Sequence, residues 1–139
     1  MNANTAADLI AFYGEPIHTY TRAQALADGT LHDISELASE YGFRYPVHVA
    51  YHAWGAAIAW PHSDPGQDET GRAWDVLTMA RVALRAAIRR GQSTGPVRFT
   101  VVRITAPDEH EPQPITLEIE LGPGDEAEPV FTITAPRDR

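Results

Sequence analysis

The sequence predicts an α+β fold in which a C-terminal three-stranded antiparallel meander packs on one long amphipathic helix, with short helices and strands before it. Two observations carry this prediction. Between residues 72 and 90, apolar side chains recur at intervals of three and four, which places them on one side of an α-helix. From residue 97 onwards, β-branched residues and apolar–polar alternation replace that spacing, as is typical of strands with one buried face. The chain therefore changes from a mainly helical to a β-rich pattern.

The N-terminal part is expected to form short elements, because turn-forming residues interrupt it often. We expect a helix over 5–13 and a strand over 17–20. Thr21 then precedes a helix over 22–27, where its hydroxyl can accept an N–H that the first helical turn leaves unpaired. A turn at Gly29 ends that helix.

The following segment is expected to form one more strand and two more helices. The strand covers 31–34, and a short helix over 35–41 ends at Gly42. Over 46–60, apolar residues at helical spacings and a proline at the start favour a helix, although β-branched residues and a glycine count against it. Proline, glycine and small polar residues over 61–71 indicate an exposed loop before the long helix.

Three strands are expected after the long helix. The segment 97–104 is rich in β-branched residues. Over 114–121, apolar and polar residues alternate, so one face of the strand packs and the other meets water. The segment 130–135 completes a meander, and we expect the helix over 72–90 to cover its apolar face.

Length and composition indicate a single domain over residues 1–139. Cysteine is absent, which excludes disulfides and thiolate-bound zinc and fits a reducing compartment, so a cytoplasmic location is expected. No segment approaches the roughly 20 consecutive apolar residues that a membrane-spanning helix needs, and no signal peptide is recognisable. We therefore expect no membrane association. The oligomeric state stays open, since an outer strand of a sheet can pair with a second copy.

Charge is unevenly distributed along the chain. The formal net charge of −8 divides into −7 over residues 1–71, +6 over 72–105 and −7 over 106–139. The basic segment is a candidate for binding anions, including a nucleic-acid backbone, although the acidic remainder and the lack of interleaved aromatic residues argue against nucleic acid. Pairing of its arginines with glutamates of the flanking segments is the alternative interpretation. The candidate arginines follow at steps of four along the long helix and are Arg81, Arg85 and Arg89.

The C-terminal acidic residues are a candidate surface for binding another protein. Alternation places two glutamates on the solvent face of one strand, and three acidic residues follow in the next turn. Their carboxylates can imitate the phosphate charges of DNA in a basic groove of a partner, whereas an ordinary solvated sheet face is the alternative. The candidate residues are Glu118, Glu120, Asp125, Glu126 and Glu128.

A polar pocket near the start of the long helix is a third candidate. A neighbouring aromatic wall such as Trp74 can form the cleft that catalytic carboxylates need. Helix capping by the same carboxylates is the alternative explanation. The candidate pocket residues are Tyr20, Asp33, Gln67, Asp68, Trp74 and Asp75.

Motifs for catalysis or cofactor binding are missing from the sequence. His48 and His52 are four residues apart, which suits two metal ligands on one helix face, but Val49 stands where the zinc-protease motif has glutamate. The glycines after residue 121 lack the pattern of a phosphate-binding loop, and no serine lies in a nucleophile elbow. We therefore expect no metal and no cofactor, and we assign no catalytic residue.

Three segments resemble a known family. They are HTYTRAQALADGTLHDIS at 18–35, QDETGRAWDVLTMAR at 67–81 and GPGDEAEPVFTIT at 122–134. Together they resemble a domain of unknown function, a family of small proteins encoded on bacterial plasmids, phages and integrated elements. The resemblance spans about Gly14 to Pro136 and implies a genetic setting without an activity. The residues that match its recurrent pattern are Tyr20, Thr21, Asp28, Gly29, Asp33, Gln67, Asp68, Gly71, Trp74, Asp75, Gly122, Gly124 and Asp125.

The expected function is that of a non-enzymatic accessory protein of a mobile genetic element, acting by protein binding. The resemblance implies the setting, and the acidic charge favours an inhibitor of a host defence system that handles nucleic acid. Two alternatives stay open. One is a small enzyme or ligand-binding domain with a polar pocket around Asp68 and Asp75, and the other is nucleic-acid binding through the arginines of the long helix.

Overall fold

The structure, a computed structural model, describes residues 20–63 and 65–139. The helix expected over 5–13 and residues 17–19 of the strand expected over 17–20 lie outside the described residues. The α+β class is confirmed. In chain order the elements are α1 (Arg22–Asp28), β1 (Leu31–Asp33), α2 (Ser35–Glu40), β2 (Val47–Ala50), α3 (Tyr51–Ala53) with a π-helical turn (Trp54–Ile58) that continues it, α4 (Glu69–Arg89), β3 (Val97–Arg103), β4 (Gln113–Pro123), β5 (Pro129–Thr134) and a final 3₁₀ turn (Pro136–Asp138).

All five strands form one mixed sheet in the order β1-β2-β5-β4-β3. The pairs β1–β2, β4–β5 and β3–β4 are antiparallel, whereas β2 and β5 are parallel. The expected three-stranded meander is therefore not confirmed as the architecture, because β2 joins the sheet through β5 and brings β1 with it. Local periodicity gave no sign of this pairing, since β2 and β5 are separated by α4 and two further strands.

The helix expected over 46–60 is wrong at its start, where the chain forms β2. Val47 and Val49 are both fully buried, and they pack into the core from one face of this short strand. The helix begins only at Tyr51, where Asp138 accepts hydrogen bonds from the N–H groups of His52, at 2.7 Å, and of the next residue, at 2.9 Å. Because strand pairing and this cap come from the far end of the chain, helical spacing alone gave the wrong boundary.

The long helix α4 covers one face of the sheet and runs from Asp68, its N-cap, to Arg89. Val76, Leu77 and Ala80 point into the core and are fully buried. They belong to the same core as apolar side chains of β2, β3, β4 and β5. Burial of these side chains stabilises the fold. Within residues 20–63 and 65–139, none of the helices combines the length and the apolar character that crossing a bilayer requires.

Candidate functional site

The residues of the expected polar pocket do not all share one site in the structure. Tyr20 is exposed, and its hydroxyl donates to the carboxylate of Asp28 and lies 3.0 Å from the Thr30 hydroxyl. Asp68 caps α4, where its Oδ1 accepts a hydrogen bond of 2.6 Å from the Gly71 N–H. Both side chains are therefore occupied by local structure.

Asp33 and Trp74 also have separate local contacts. The Oδ1 atom of Asp33 accepts a hydrogen bond of 2.9 Å from the Ser35 N–H, which holds the start of α2. Trp74 is half-buried and packs edge-on against Tyr41, with 4.9 Å between the ring centroids. These contacts give the two side chains structural roles in different parts of the fold.

Gln67 and Asp75 do lie together, in a small cavity that two arginines also line. The cavity has a volume of about 110 Å³ and lies between the first turns of α4 and the end of β3. Arg72 and Arg103 supply its positive charge, and Arg72 is only 5 % exposed. Neither arginine was a candidate residue for this pocket, although Arg72 belongs to the basic segment considered for binding anions. One signal was present in the sequence, since Arg72 precedes Val76 by four residues and so falls on the apolar side of the helix.

Main-chain carbonyl groups hold both guanidinium groups in place. Arg72 donates from Nε to the carbonyl of Ile58 at 3.0 Å and from Nη1 to that of Ile104 at 2.8 Å. Arg103 donates from Nε to the carbonyl of Ala56 at 2.9 Å and from Nη1 to carbonyls of β4. Arg72 thus joins α4 to the π-helical turn and to the residue after β3, and Arg103 joins β3 to the same turn and to β4. Both donate to carbonyl groups at the end of a helical segment, where the helix dipole favours positive charge.

The acidic residues around the β4–β5 turn are largely used within the molecule. Glu118 makes ion pairs with Arg98 and Arg139. The carboxylate of Asp125 accepts hydrogen bonds of 2.8 and 3.0 Å from the first two N–H groups of α1. These bonds hold the pKa of Asp125 below its usual range and join the β4–β5 turn to α1.

Of the remaining acidic residues, one is engaged in its own turn and two are open to a partner. Glu128 is the engaged residue, because its carboxylate accepts a hydrogen bond of 2.8 Å from the Glu126 N–H. Glu120 and Glu126 are exposed, and in the described part of the chain their carboxylates make no hydrogen bond or ion pair. The continuous acidic face that alternation suggested is thus reduced to isolated charges.

The three candidate arginines of α4 do not form one uniform row. Arg81 donates to the carbonyl of Tyr41 at 3.2 Å, and its guanidinium group lies 5.1 Å from the centre of that ring. Arg85 and Arg89 are exposed. Pairing with flanking glutamates is wrong for these arginines, because the ion pairs among the described residues involve other elements.

The two histidines spaced for a metal lie in different elements, His48 in β2 and His52 in α3. In residues 20–63 and 65–139, no group of histidine, aspartate and glutamate side chains is placed to hold a metal ion. His48 is buried on the sheet face opposite α4, and its Nδ1 lies 3.0 Å from Nη1 of Arg22. Its Nε2 lies 3.9 Å from the carboxylate of Asp33.

Burial is the main reason why the pKa of His48 lies below its usual value. The carboxylates of Asp33, Asp125 and Glu128 raise this pKa and Arg22 lowers it, and the net direction is downward. The unfolded chain therefore takes up a proton at this side chain at a higher pH than the folded protein does. Between these two pKa values the unfolded state binds more protons, so the free energy of unfolding falls as the pH is lowered.

We expect the variant His48→Gln to lose less stability than the wild-type protein when the pH is lowered from 7.5 to 5. Urea unfolding at several pH values measures this difference. His62 is exposed, so His62→Gln is the matched control and is expected to keep the wild-type pH dependence. Parallel stability curves for the wild-type protein and His48→Gln would contradict the assignment.

One edge of the sheet presents main-chain groups that no described strand pairs. Phe131 donates its N–H to the carbonyl of Pro46 beside β2, so the neighbouring residues of β5 point their N–H groups toward β4. Along a strand, the N–H groups of successive residues point alternately to one side and to the other. With the registers of β5 with β4 and of β4 with β3, this alternation leaves three N–H groups of β3 pointing away from the sheet. They belong to Arg98, Thr100 and Val102.

An exposed apolar side chain of α4 lies on the side of the helix that faces this edge. Arg72 reaches the carbonyl of Ile104, just beyond β3, and Met79 follows Arg72 by two helical turns, so it lies on the same side of α4. Met79 is 39 % exposed. We call the outward edge of β3 together with the Met79 side chain the edge surface.

Comparison with known proteins provides a family without an assigned activity. No curated protein and no solved structure matches the chain. The model of a family of unknown function, DUF6573, matches residues 9–139. The match covers nearly the whole chain, including the cavity and the edge surface. The chain therefore belongs to the DUF6573 family of unknown function.

Proposed function

We propose that this protein acts by binding another protein, and that an extended segment of the partner adds a strand at the edge surface. The observation that carries the proposal is the open edge of β3. This strand is seven residues long and lies at one end of the sheet. Strand addition at such an edge provides affinity through main-chain hydrogen bonds and specificity through the alternate side chains.

The composition of β3 supports a role in binding. Exposed edge strands tend to pair with other chains, and proteins usually protect them with charges, prolines or short length. Arg98 and Arg103 lie near the two ends of β3, but Phe99–Val102 between them has no charge and no proline. Val102 is also 57 % exposed. This unprotected segment is typical of a site that a partner covers.

The side chains around the edge indicate the chemistry of the partner. Met79 offers apolar contact on the α4 side of the edge. On the other face, Thr100 and Val102 are neutral. We therefore propose a partner segment of β-branched and other apolar residues, with uncharged residues opposite Phe99–Val102.

The more specific form of this proposal is that the protein is encoded on a mobile genetic element and inhibits a host defence system. The family resemblance supports this form of the proposal.

Because several acidic residues near the β4–β5 turn are bound within the molecule, we propose that the partner binds at β3 and not at this turn. Glu118 is held by two arginines and Asp125 caps α1, so neither carboxylate is free to imitate a phosphate of DNA. Charge reversal at Glu120 and Glu126 is therefore expected to change the salt dependence of partner binding more than its affinity.

Replacing Thr100 with proline is expected to abolish partner capture. Proline removes one outward N–H from the middle of the edge and places a ring where a partner strand would pair. Thr100→Ala loses the same hydroxyl but keeps the N–H, so it is the matched control. Both variants lose the contact of 3.4 Å to the Thr116 hydroxyl. Tagged proteins are used for affinity capture from lysate of the source organism, and thermal unfolding verifies that the variants are folded.

Hydrogen exchange on the captured complex decides between strand addition and another mode of binding. Strand addition predicts slower exchange at the N–H groups of Arg98, Thr100 and Val102, while the amides that pair with β4 change little. A partner bound equally by Thr100→Pro and Thr100→Ala, with no protection along β3, would overturn the proposal. If a second copy of the chain binds at the edge surface, size-exclusion chromatography with light scattering will show a dimer.

A further inference from the structure

We propose that the cavity between α4 and β3 binds a phosphate group through Arg72 and Arg103. The cavity adjoins the edge surface, because Val102 belongs to its lining, but anion binding there is tested without a protein partner. The cavity of about 110 Å³ lies at the start of α4. One water needs roughly 10–15 Å³ of such cavity volume, so the cavity has room for one tetrahedral oxyanion.

The two guanidinium groups are fixed before any ligand arrives. Each uses Nε and Nη1 for carbonyl groups of the main chain. In the described part of the chain, Nη2 of Arg72 and Nη2 of Arg103 have no hydrogen-bond partner. The same arginine side chains line the cavity. Both arginine side chains are thus held in place at one cavity, so they do not need to be ordered when a ligand binds.

Excess positive charge at the cavity favours an anion. Among the described residues, neither arginine makes an ion pair. Burial lowers the pKa of both arginines, and the charge of Arg103 lowers that of Arg72 further. Asp75 in the lining and Glu69 nearby both raise the pKa of Arg72, but the net direction stays downward, so they offset the burial and the repulsion only in part. A bound anion would relieve the repulsion between the arginines.

The mixture of donors and one acceptor favours phosphate over other oxyanions. Arginine binds phosphate oxygens well because its planar donors match their geometry. The amide oxygen of Gln67 accepts a hydrogen bond of 3.2 Å from Arg72, which leaves its amide N–H groups as further donors. Asp75 can accept a hydrogen bond from a protonated phosphate oxygen. Sulfate has no such proton at neutral pH, so its oxygens would face the carboxylate without a hydrogen bond.

Isothermal titration calorimetry of the full chain with inorganic phosphate and with sulfate, at constant ionic strength, tests the site. We expect saturable phosphate binding and weaker sulfate binding. Arg103→Gln is expected to weaken phosphate binding about tenfold, because it removes a charged donor. Arg98→Gln changes an exposed arginine of the same strand and is expected to leave phosphate binding unchanged.

The variant Asp75→Asn distinguishes a specific phosphate site from nonspecific attraction of anions to the arginines. Asp75 is exposed, so the substitution is expected to preserve the fold. Removing its charge should strengthen sulfate binding about tenfold and so reduce the preference for phosphate. Equal weakening by Arg103→Gln and Arg98→Gln, or an unchanged sulfate affinity in Asp75→Asn, would overturn the proposal, as would the absence of saturable phosphate binding.

The same titration with glycerol 3-phosphate and with dimethyl phosphate identifies the source of the phosphate group. Binding of glycerol 3-phosphate at an affinity close to that of phosphate would assign the cavity to phosphomonoesters, and binding of phosphate alone would assign it to the free ion. Dimethyl phosphate has no proton for Asp75 and is expected to bind weakly. Stronger binding of this diester than of phosphate would contradict the role assigned to Asp75.

Discussion

Replacing Arg72 with methionine is expected to lower the free energy of unfolding by about 3 kcal/mol, because one buried and one half-buried carbonyl group lose a charged donor. Arg72 is 5 % exposed, and its hydrogen bonds join α4 to Ile58 and Ile104. Its guanidinium group also lies 5.0 Å from the centre of the Trp60 ring. Methionine keeps much of the packing volume but satisfies neither carbonyl. Urea unfolding at neutral pH measures the loss.

Arg85→Met is the matched control for this prediction. Arg85 lies on the same helix but is exposed, so its loss is expected to change the free energy of unfolding by less than about 0.5 kcal/mol. Arg72→Lys keeps the charge without the planar set of donors and is expected to fall between the two. An effect of Arg72→Met no larger than that of Arg85→Met would show that Arg72 does not hold the two segments together.

Periodicity predicted the elements whose form is decided by their own side chains. The segment 72–90, with apolar residues at helical spacing, forms most of α4. Thr21 caps α1 as expected, and Gln24 completes a capping box with it. The alternation over 114–121 likewise forms the central part of β4. In these segments the apolar pattern and the local hydrogen bonds favour the same structure.

The segment that forms β2 differs because distant partners decide its structure. Val47–Ala50 is paired with β1 on one side and with β5 on the other, and β5 begins more than 70 residues later. Helix α3 then needs Asp138 to satisfy its first N–H groups. No local pattern encodes these contacts, and the proline and the helical spacing of the apolar residues suggested a longer helix.

The site residues show the same limit of local reasoning. Asp68 is a cap that its position before α4 predicted, and Asp125 is a cap for a helix more than 90 residues earlier in the chain. Composition marked Asp125 as a surface charge, because only the fold brings the β4–β5 turn to α1. Arg72 was counted with the basic residues of α4, although its spacing to Val76 placed it on the apolar side.

Replacing Ile119 with alanine is expected to lower the free energy of unfolding by about 3 kcal/mol. Ile119 is fully buried in β4, opposite Val97 of β3 and Ile133 of β5, so the truncated side chain leaves a cavity under α4. The adjacent Glu120 points to the other face and is exposed. Glu120→Ala is therefore the matched control, with an expected change below about 0.5 kcal/mol.

Thermal unfolding of this pair of variants tests both the register of β4 and the interpretation of its acidic face. A loss of about 3 kcal/mol corresponds to a fall in the melting temperature of roughly 10 °C for a domain of this size. Because neighbouring residues of a strand face opposite sides, a shift of β4 by one residue would exchange the two results. Glu120→Ala with partner capture unchanged would also agree with a binding site at β3, whereas loss of capture in this folded variant would return the contact to the acidic face.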